Sequence, residues 1–192
     1  MKKLFLAALM LMLVFGGTAL ATDGTYMDDK DVNEASGDDT MAYRIYIGKA
    51  VSEVDETFSG LPGWEKRPHD KAVRMYRRQG PDYIESVYIY GQPYNEEVVG
   101  SYRISFFTRT KEAADDIFFN TTKNFAYNLG RPSIKRGSVS EEWIVSDSFK
   151  ISVELVEYDP RLPVSANYPF EISIRRTSGD YHKFFLPSQV TP

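Results

Sequence analysis

Three runs of alternating residues between positions 72 and 108 constrain the fold of this chain most. Apolar and polar side chains alternate over approximately 72–78, 83–90 and 98–108, and Gly80-Pro81-Asp82 and Gly91-Gln92-Pro93 separate the runs. A period of two is typical of strands with one buried face, and clusters of Gly and Pro are typical of turns. We therefore predict three consecutive antiparallel strands in this region.

The residues before these strands predict a short strand and a short helix. The stretch "YRIYI" alternates like a strand, and Gly48 ends it. "VSEVDETFSG" then reads as a helix, with Ser52 as its N-cap and Gly60 as its stop. We interpret the stretch "GLPGWEKRPHD" that follows as a turn-rich loop.

The residues after position 108 predict a longer helix and a second group of strands. Thr110 is a good N-cap, Gly130 suits the position just past the helix end, and Pro132 bars continuation. Apolar residues between these two points recur at three- and four-residue spacing, which is typical of one buried helix stripe. They are Ala114, Ile117, Phe118, Thr121 and Phe125. We expect strands near 133–137, 141–146, 149–157 and 170–176.

A helix followed by strands thus occurs twice, in units of about 43–108 and 109–180. The two units share no sequence motif, so the predicted duplication is one of architecture. The simplest assembly is an α+β fold, in which an antiparallel sheet carries both helices packed on one face. We expect residues 43–192 to form this single domain, with 181–192 as a C-terminal tail.

The strand-Gly-helix stretch "YIGKAVSEVDETF" resembles small exported proteins built from tandem helix-plus-sheet units, such as the β-lactamase-inhibitory proteins and the small outer-membrane-assembly lipoproteins. The resemblance covers about 13 residues, so it implies the architecture and transfers no functional residue. This chain also departs from the lipoprotein group, because it has no cysteine to carry a lipid.

The first 21 residues read as a bacterial secretory signal peptide. Lys2 and Lys3 precede an apolar run from Leu4 to Phe15, and Ala19-Leu20-Ala21 provides the small-x-small cleavage pattern. A retained anchor is the alternative, but the run is shorter than the ~20 residues that span a bilayer. We expect cleavage after Ala21, no membrane anchor afterwards, and a location in the periplasm or outside the cell. Without cysteine, the hydrophobic core must stabilise the exported protein.

Residues 22–42 form a polar, acidic segment that we predict to be a flexible linker. Such a segment has too little apolar surface to offset the entropy lost on ordering. The whole chain carries a net charge of −4, and the body from Tyr43 onward is nearly neutral because the linker holds one base and seven acids. This balance argues against a nucleic-acid partner. The acids are Asp23, Asp28, Asp29, Asp31, Glu34, Asp38 and Asp39.

The linker resembles a calcium loop in part, but no such loop is predicted. Asp29, Asp31 and Asn33 match the first three ligand positions of such a loop. Glu34 then occupies the position that requires glycine, and Thr40 the position that requires a bidentate glutamate. We therefore predict no metal site.

The sequence offers little catalytic chemistry. With His69 and His182 as its two histidines, no cysteine and no Gly-x-Ser-x-Gly motif, it lacks the usual nucleophile–base pairs. The adjacent acids Glu141-Glu142 and Asp115-Asp116 point apart in a regular element. We predict no cofactor and do not favour an enzyme. The alternative is an envelope hydrolase that uses carboxylates in a cleft between the two units.

The strand alternation predicts a candidate binding surface in the first unit. We assign aliphatic side chains such as Val73, Met75 and Val87 to the face beneath the helices. The opposite, open face then carries tyrosine and arginine, which are enriched at interface hot spots. We predict a non-enzymatic protein that binds a protein, peptide or glycan through this face. The candidate residues are Arg74, Tyr76, Arg78, Tyr88, Tyr90 and Arg103.

Two alternatives for this face stay open. The tyrosines and arginines could simply stabilise the sheet through cross-strand packing and cation–π contacts, or the C-terminal tail could cover them. Trp64 and Tyr94 are candidates for the rim of the face, and Trp64 could instead be a lid on the core. In the second unit Glu171, Ser173 and Arg175 predict an outer face that is merely solvated.

Overall fold

The computed structural model describes residues 43, 45–69, 73–146, 149–159, 161 and 167–178. Over these residues the chain forms two helices and one antiparallel sheet of eight strands, so the predicted α+β class is confirmed. The predicted signal peptide, acidic linker and C-terminal tail lie outside the described residues, as does His182. The helices are α1 (Val51–Gly60) and α2 (Lys111–Leu129). The strands are β1 (Trp64–Arg67), β2 (Val73–Gln79), β3 (Tyr83–Gln92), β4 (Asn95–Thr108), β5 (Ile134–Arg136), β6 (Ser140–Ser146), β7 (Phe149–Glu157) and β8 (Phe170–Ser178).

The strands follow the order β1-β2-β3-β4-β8-β7-β6-β5, and every neighbouring pair is antiparallel. Strands β1 to β4 therefore run inward from one edge, and β5 to β8 run inward from the other. The last strand of each group meets its counterpart at the centre, where β4 pairs with β8. Close approach occurs in the β3–β4 hairpin, where a Cβ on Gly91 would lie 2.6 Å from the Cα of Glu96.

Helix α2 ends as its sequence predicts. The Thr110 hydroxyl accepts a hydrogen bond from the backbone N of Ala113 (3.3 Å), which caps the first turn. Gly130 follows the last turn with φ +82°, a conformation that favours glycine. The buried stripe differs from the prediction in two places, because Ile117 and Thr121 are only half-buried, and Thr122 is buried in addition.

The region around α1 differs more from the prediction. The helix begins at Val51, and its N-cap is Ala50 rather than Ser52. Val51 is 2 % exposed, so burying it within the helix outweighs the gain from a serine cap. Residues 45–47 do not form the predicted strand; Ile45 packs into the core instead. The predicted loop contains β1, which pairs with β2 and so extends the sheet.

One face of the sheet, called the core face here, carries both hydrophobic clusters. Cross-strand partners in an antiparallel sheet share a face, and the register joins five strands in one row. Val54 and Phe58 of α1 cluster with the β2–β4 part of that row, and Phe118 and Phe125 of α2 with the β7–β8 part. The row is Tyr76, Val87, Ile104, Ile174 and Val153.

The opposite side of the same sheet is called the outer face here. Each residue of its central row lies next to a residue of the core-face row in the same strand. Successive side chains of a strand point to opposite faces, so this row points away from the core face. This row crosses both central strands, β4 and β8, and is rich in long polar side chains. It consists of Met75, Tyr88, Arg103, Arg175 and Ser152.

Candidate functional site

The six residues predicted for one binding face lie on two faces. Tyr88 and Arg103 belong to the central row of the outer face, and Tyr90 lies in the next row on that face. The three residues predicted from β2 lie on the core face, so the prediction of a common face is wrong for them. These three are Arg74, Tyr76 and Arg78, which pair with Ile89, Val87 and Glu85.

Tyr76 is a core residue and not a surface residue. Its side chain is 2 % exposed, and its ring stacks on Phe58 with centroids 4.1 Å apart. Its hydroxyl donates a hydrogen bond to Asp55 of α1. Burial and this bond both raise the pKa of Tyr76 far above its ordinary value. The prediction that Val73 and Met75 lie beneath the helices is wrong, because the larger ring of Tyr76 buries more area there and keeps a polar partner.

Arg78 neutralises a buried carboxylate on the core face. Glu85 is 1 % exposed, and it accepts hydrogen bonds from Arg78 Nη2 (2.6 Å) and the Tyr43 hydroxyl (2.5 Å). The Arg78 guanidinium also lies 5.2 Å from the ring centroid of Trp64. Trp64 in turn packs edge-on against Phe58 in the core cluster, so it is not a rim residue of the outer face.

Arg103 and Tyr88 form the centre of the outer face. The Arg103 guanidinium carbon lies 4.3 Å from the ring centroid of Tyr88, and the ring of His69 packs edge-on against the same tyrosine. Tyr88 is therefore only 7 % exposed, so it supports Arg103 and is not itself a protruding anchor. Burial lowers the pKa of Arg103, but Tyr90, Glu171 and Tyr88 raise it by more.

The outer face of the second half is more buried than the sequence predicted, and its side chains form hydrogen bonds. Glu171 is 4 % exposed, and its carboxylate accepts hydrogen bonds from Ser105 Oγ (2.5 Å) and from the Tyr158 hydroxyl. Burial and the bond to Glu171 raise the pKa of Tyr158. The prediction that Glu171 and Ser173 are solvated is therefore wrong, since both side chains are buried on the outer face. Arg175, by contrast, is exposed as predicted.

Two buried polar atoms of the outer face have no hydrogen-bond partner within the described residues. They are Nε of Arg103 and Oγ1 of Thr177. Arg175 is the cross-strand partner of Arg103, and it lies two residues before Thr177 in β8. The ion pairs found between described residues do not include Arg175. The β4–β8 pair thus carries three side chains with donors that no described residue accepts from, namely Arg103, Arg175 and Thr177.

The acids considered for hydrolysis are held in ion pairs or lie apart. Glu141 and Glu142 point to opposite faces of β6; Glu141 pairs with Lys135, and Glu142 with Lys150 (3.2 Å). Asp115 and Asp116 are exposed on α2. In the part of the chain that the structure covers, no three His, Asp or Glu side chains are grouped so as to hold a metal ion.

Comparison with known proteins assigns no family to this chain. No family model matches it, and neither does any curated protein or solved structure. Among the described helices, none has the length and apolar character required to cross a membrane. The geometry of the outer face is therefore the basis for assigning a function.

Sequence reasoning missed the parts of this site that come from β8 and the segment before it. Alternation in β8 does place Glu171, Ser173, Arg175 and Thr177 on one face, so that signal was present. The pairing of β4 with β8 was not available, since these strands are more than 60 residues apart and their adjacency depends on the whole sheet.

Proposed function

We propose that this chain is an exported, non-enzymatic binding protein, and that its partner binds the outer face of the sheet around Arg103. The observation that carries the proposal is the buried Nε of Arg103, which has no hydrogen-bond partner in the described chain. The partner is a protein, a peptide or a glycan, classes that offer hydrogen-bond acceptors to an arginine.

A buried donor without an acceptor is costly and therefore informative. Most buried polar groups of native proteins are hydrogen-bonded, because leaving a donor unpaired costs about 1–3 kcal/mol. The charge of Arg103 is stabilised by the Tyr88 ring and by the nearby Glu171 carboxylate. The Glu171 oxygens accept from Ser105 and Tyr158 and make no hydrogen bond with Arg103 Nε. The Nε atom is itself shielded from solvent, but Arg103 as a whole is only half-buried, so a partner that supplies acceptors to the rest of its guanidinium would add charge-assisted hydrogen bonds.

The strand order supports an architecture of two tandem units. Each half of the described chain has a helix followed by four strands, and the halves meet through their last strands, β4 and β8. We infer two tandem units with both described helices on the core face. Most side chains in the central row of the outer face are buried and Arg175 is exposed, so we place the contact with a partner at Arg175 and the half-buried Arg103. Binding through such a face requires no catalytic group.

Export is part of the same proposal and depends on residues 1–21. Their basic start, apolar run and Ala19-Leu20-Ala21 pattern support cleavage by signal peptidase. A partner would then be found in the periplasm or in the medium. Mass spectrometry of the protein recovered from its own source, with Thr22 as the first residue, is the direct test of cleavage.

The binding proposal is tested by affinity capture from the envelope and culture fluid of the source. The tagged wild type is compared with Arg103→Gln and with Arg136→Gln, which removes the same charge from an exposed edge-strand position on the same face. We expect one partner to be retained by the wild type and by Arg136→Gln and to be lost by Arg103→Gln. Circular dichroism establishes that each variant is folded. Equal retention by all three proteins would show that the outer face is not the binding surface.

A further inference from the structure

The strongest unexplained feature of the sheet is a pair of like charges at its centre. Arg103 of β4 and Arg175 of β8 are direct cross-strand partners on the outer face. Like charges in this arrangement destabilise a sheet, whereas an Arg–Glu pair would stabilise it. Fold stability therefore does not account for this pair, and a role in binding does.

The neighbouring acids offset this repulsion only in part, because Glu171 raises the pKa of Arg103 but forms no ion pair with either arginine. The two carboxylate oxygens of Glu171 accept hydrogen bonds from Ser105 and Tyr158. Glu142, farther along the central row on β6, pairs with Lys150 at 3.2 Å. The guanidinium of Arg175 therefore stands exposed beside Arg103, with the unpaired hydroxyl of Thr177 in the adjacent row.

We infer that Arg103 and Arg175 bind a carboxylate of an acidic peptide segment in the partner protein. The inference rests on the proposed function and names the chemistry of its ligand. Two guanidinium groups can hold the oxygens of one carboxylate, because each presents N–H donors in a planar fork.

The charge balance of the site favours a singly charged group. Arg103 and Arg175 contribute two positive charges, and the buried Glu171 beside Arg103 contributes one negative charge. One carboxylate neutralises the remainder, whereas a phosphate dianion would leave a net negative charge in a partly buried site. A carboxylate is therefore the better match in charge.

The aromatic environment favours a peptide over an acidic glycan. Glycan recognition commonly uses an exposed aromatic ring as a stacking platform. The ring of Tyr88 is covered by the Arg103 guanidinium and has little exposed surface. A peptide requires no such platform, since its side-chain carboxylate can reach the two arginines from an extended backbone.

The test uses a short glutamate-containing peptide with blocked ends, in which every other residue is glycine or serine. Its twins carry glutamine or phosphoserine in place of glutamate, and a galacturonate oligosaccharide represents acidic glycans. Titrations are followed by the NMR signals of the arginine Nε–Hε groups. We expect saturable shifts at Arg103 and Arg175 with the glutamate peptide and none with its glutamine twin. At low salt, Arg175→Gln should weaken binding by about tenfold or more, and Arg136→Gln should not.

Several results would overturn the inference. Tighter binding of the phosphoserine peptide or of galacturonate would identify a different ligand class. Equal weakening by Arg175→Gln and Arg136→Gln would show that binding is a general attraction to positive charge. Capture of a partner that Arg175→Gln leaves unchanged and Arg103→Gln abolishes would refute the carboxylate site while preserving the proposed function. If neither a partner nor a peptide binds the wild type, both fail.

Discussion

Two adjacent arginines in β8 lie on opposite faces of the sheet and have very different surroundings. Arg176 is fully buried on the core face, with its guanidinium carbon 6.0 Å from the ring centroid of Tyr102 and 5.6 Å from that of Phe125. Arg175, one residue earlier, is exposed on the outer face opposite Arg103. Identical side chains thus occupy a packed aromatic site and a like-charged surface site. Residue type alone therefore does not distinguish a packed arginine from an exposed one.

The buried carboxylates of the two faces also differ in their hydrogen-bond partners. On the core face Glu85 is neutralised by Arg78 and also accepts from Tyr43. On the outer face Glu171 accepts from two neutral hydroxyls, and Arg103 retains an unpaired donor. Glu85 is therefore matched by a cation within the fold, whereas Glu171 is held by neutral hydroxyls and Arg103 has no ion pair among the described residues.

The largest effect is expected for Arg176→Ala, which tests the packed member of the arginine pair. The change leaves a cavity between Phe125 and Tyr102 and removes a desolvated cation–π contact, for an expected loss of about 3–5 kcal/mol in the free energy of unfolding. Urea denaturation followed by circular dichroism measures it. Arg175→Ala, one residue away, is the matched control. A loss below about 1 kcal/mol for Arg176→Ala would contradict the contrast between the faces.

The second effect concerns the matched charges of the core face. Arg78→Met leaves the Glu85 carboxylate buried without its cation, and we expect a loss of about 2–3 kcal/mol, since Arg78 is partly solvated. Adding Glu85→Gln should recover part of the loss, because the uncompensated charge disappears. Thermal and urea unfolding of the two single variants and the double variant provide the cycle. Additive losses would show that the two side chains are not coupled.

The sequence predicted those elements whose own residues decide their bounds. Thr110 caps α2 and Gly130 follows its end, and β7 covers the predicted 149–157. Local hydrogen bonding and backbone preference are properties of a few neighbouring residues, so they are readable before the fold is known. "YRIYI" is the opposite case: it alternates like a strand, yet Ile45 and Ile47 pack against the hydrophobic clusters outside any strand.

The candidate site was less predictable because its faces depend on distant contacts. Strand β2 has apolar side chains on both faces, so alternation alone could not say whether Met75 or Tyr76 lies beneath α1. The stacking of Tyr76 on Phe58 and its bond to Asp55 decide the matter. In the same way, Arg175 became a site residue only once β8 was paired with β4. Such long-range pairing is not encoded in either strand by itself.

The third prediction compares two tyrosine–carboxylate pairs, one on each face. Tyr76 donates to Asp55 and Tyr158 donates to Glu171, and burial together with these bonds raises the pKa of each tyrosine. The folded state therefore favours the neutral hydroxyl. The stability that results is fully present below the ordinary tyrosine pKa of about 10 and declines as the pH rises above it.

Replacement by phenylalanine should remove this dependence on alkaline pH. Tyr76→Phe should cost about 1.5 kcal/mol at pH 7, and the remaining stability should decline less between pH 10 and about 12. Tyr158→Phe should behave in the same way with a smaller effect, because Tyr158 is less buried. The measurement is the urea midpoint as a function of pH. If the Tyr76→Phe variant were as sensitive to alkaline pH as the wild type, the Tyr76 hydroxyl would not be the cause of the decline in stability.

The smallest effect, and the one with the opposite sign, is expected for Arg175→Gln. Removing one of two like charges from a cross-strand pair should raise the free energy of unfolding by about 0.2–1 kcal/mol. Arg175→Lys keeps the charge and serves as the control, with no gain expected. Raised ionic strength should reduce the difference between Gln and Arg, because salt screens the repulsion between exposed charges.

A gain in the free energy of unfolding for Arg175→Gln would contrast clearly with the large loss expected for Arg176→Ala. Fold stability would then favour a neutral residue at position 175, so the arginine would be explained by binding and not by folding. Measured destabilisation by Arg175→Gln would break the contrast instead, since it would mean that Arg175 is as structural as its neighbour. The sign of this one free-energy difference therefore discriminates between a recognition surface and a second packed face.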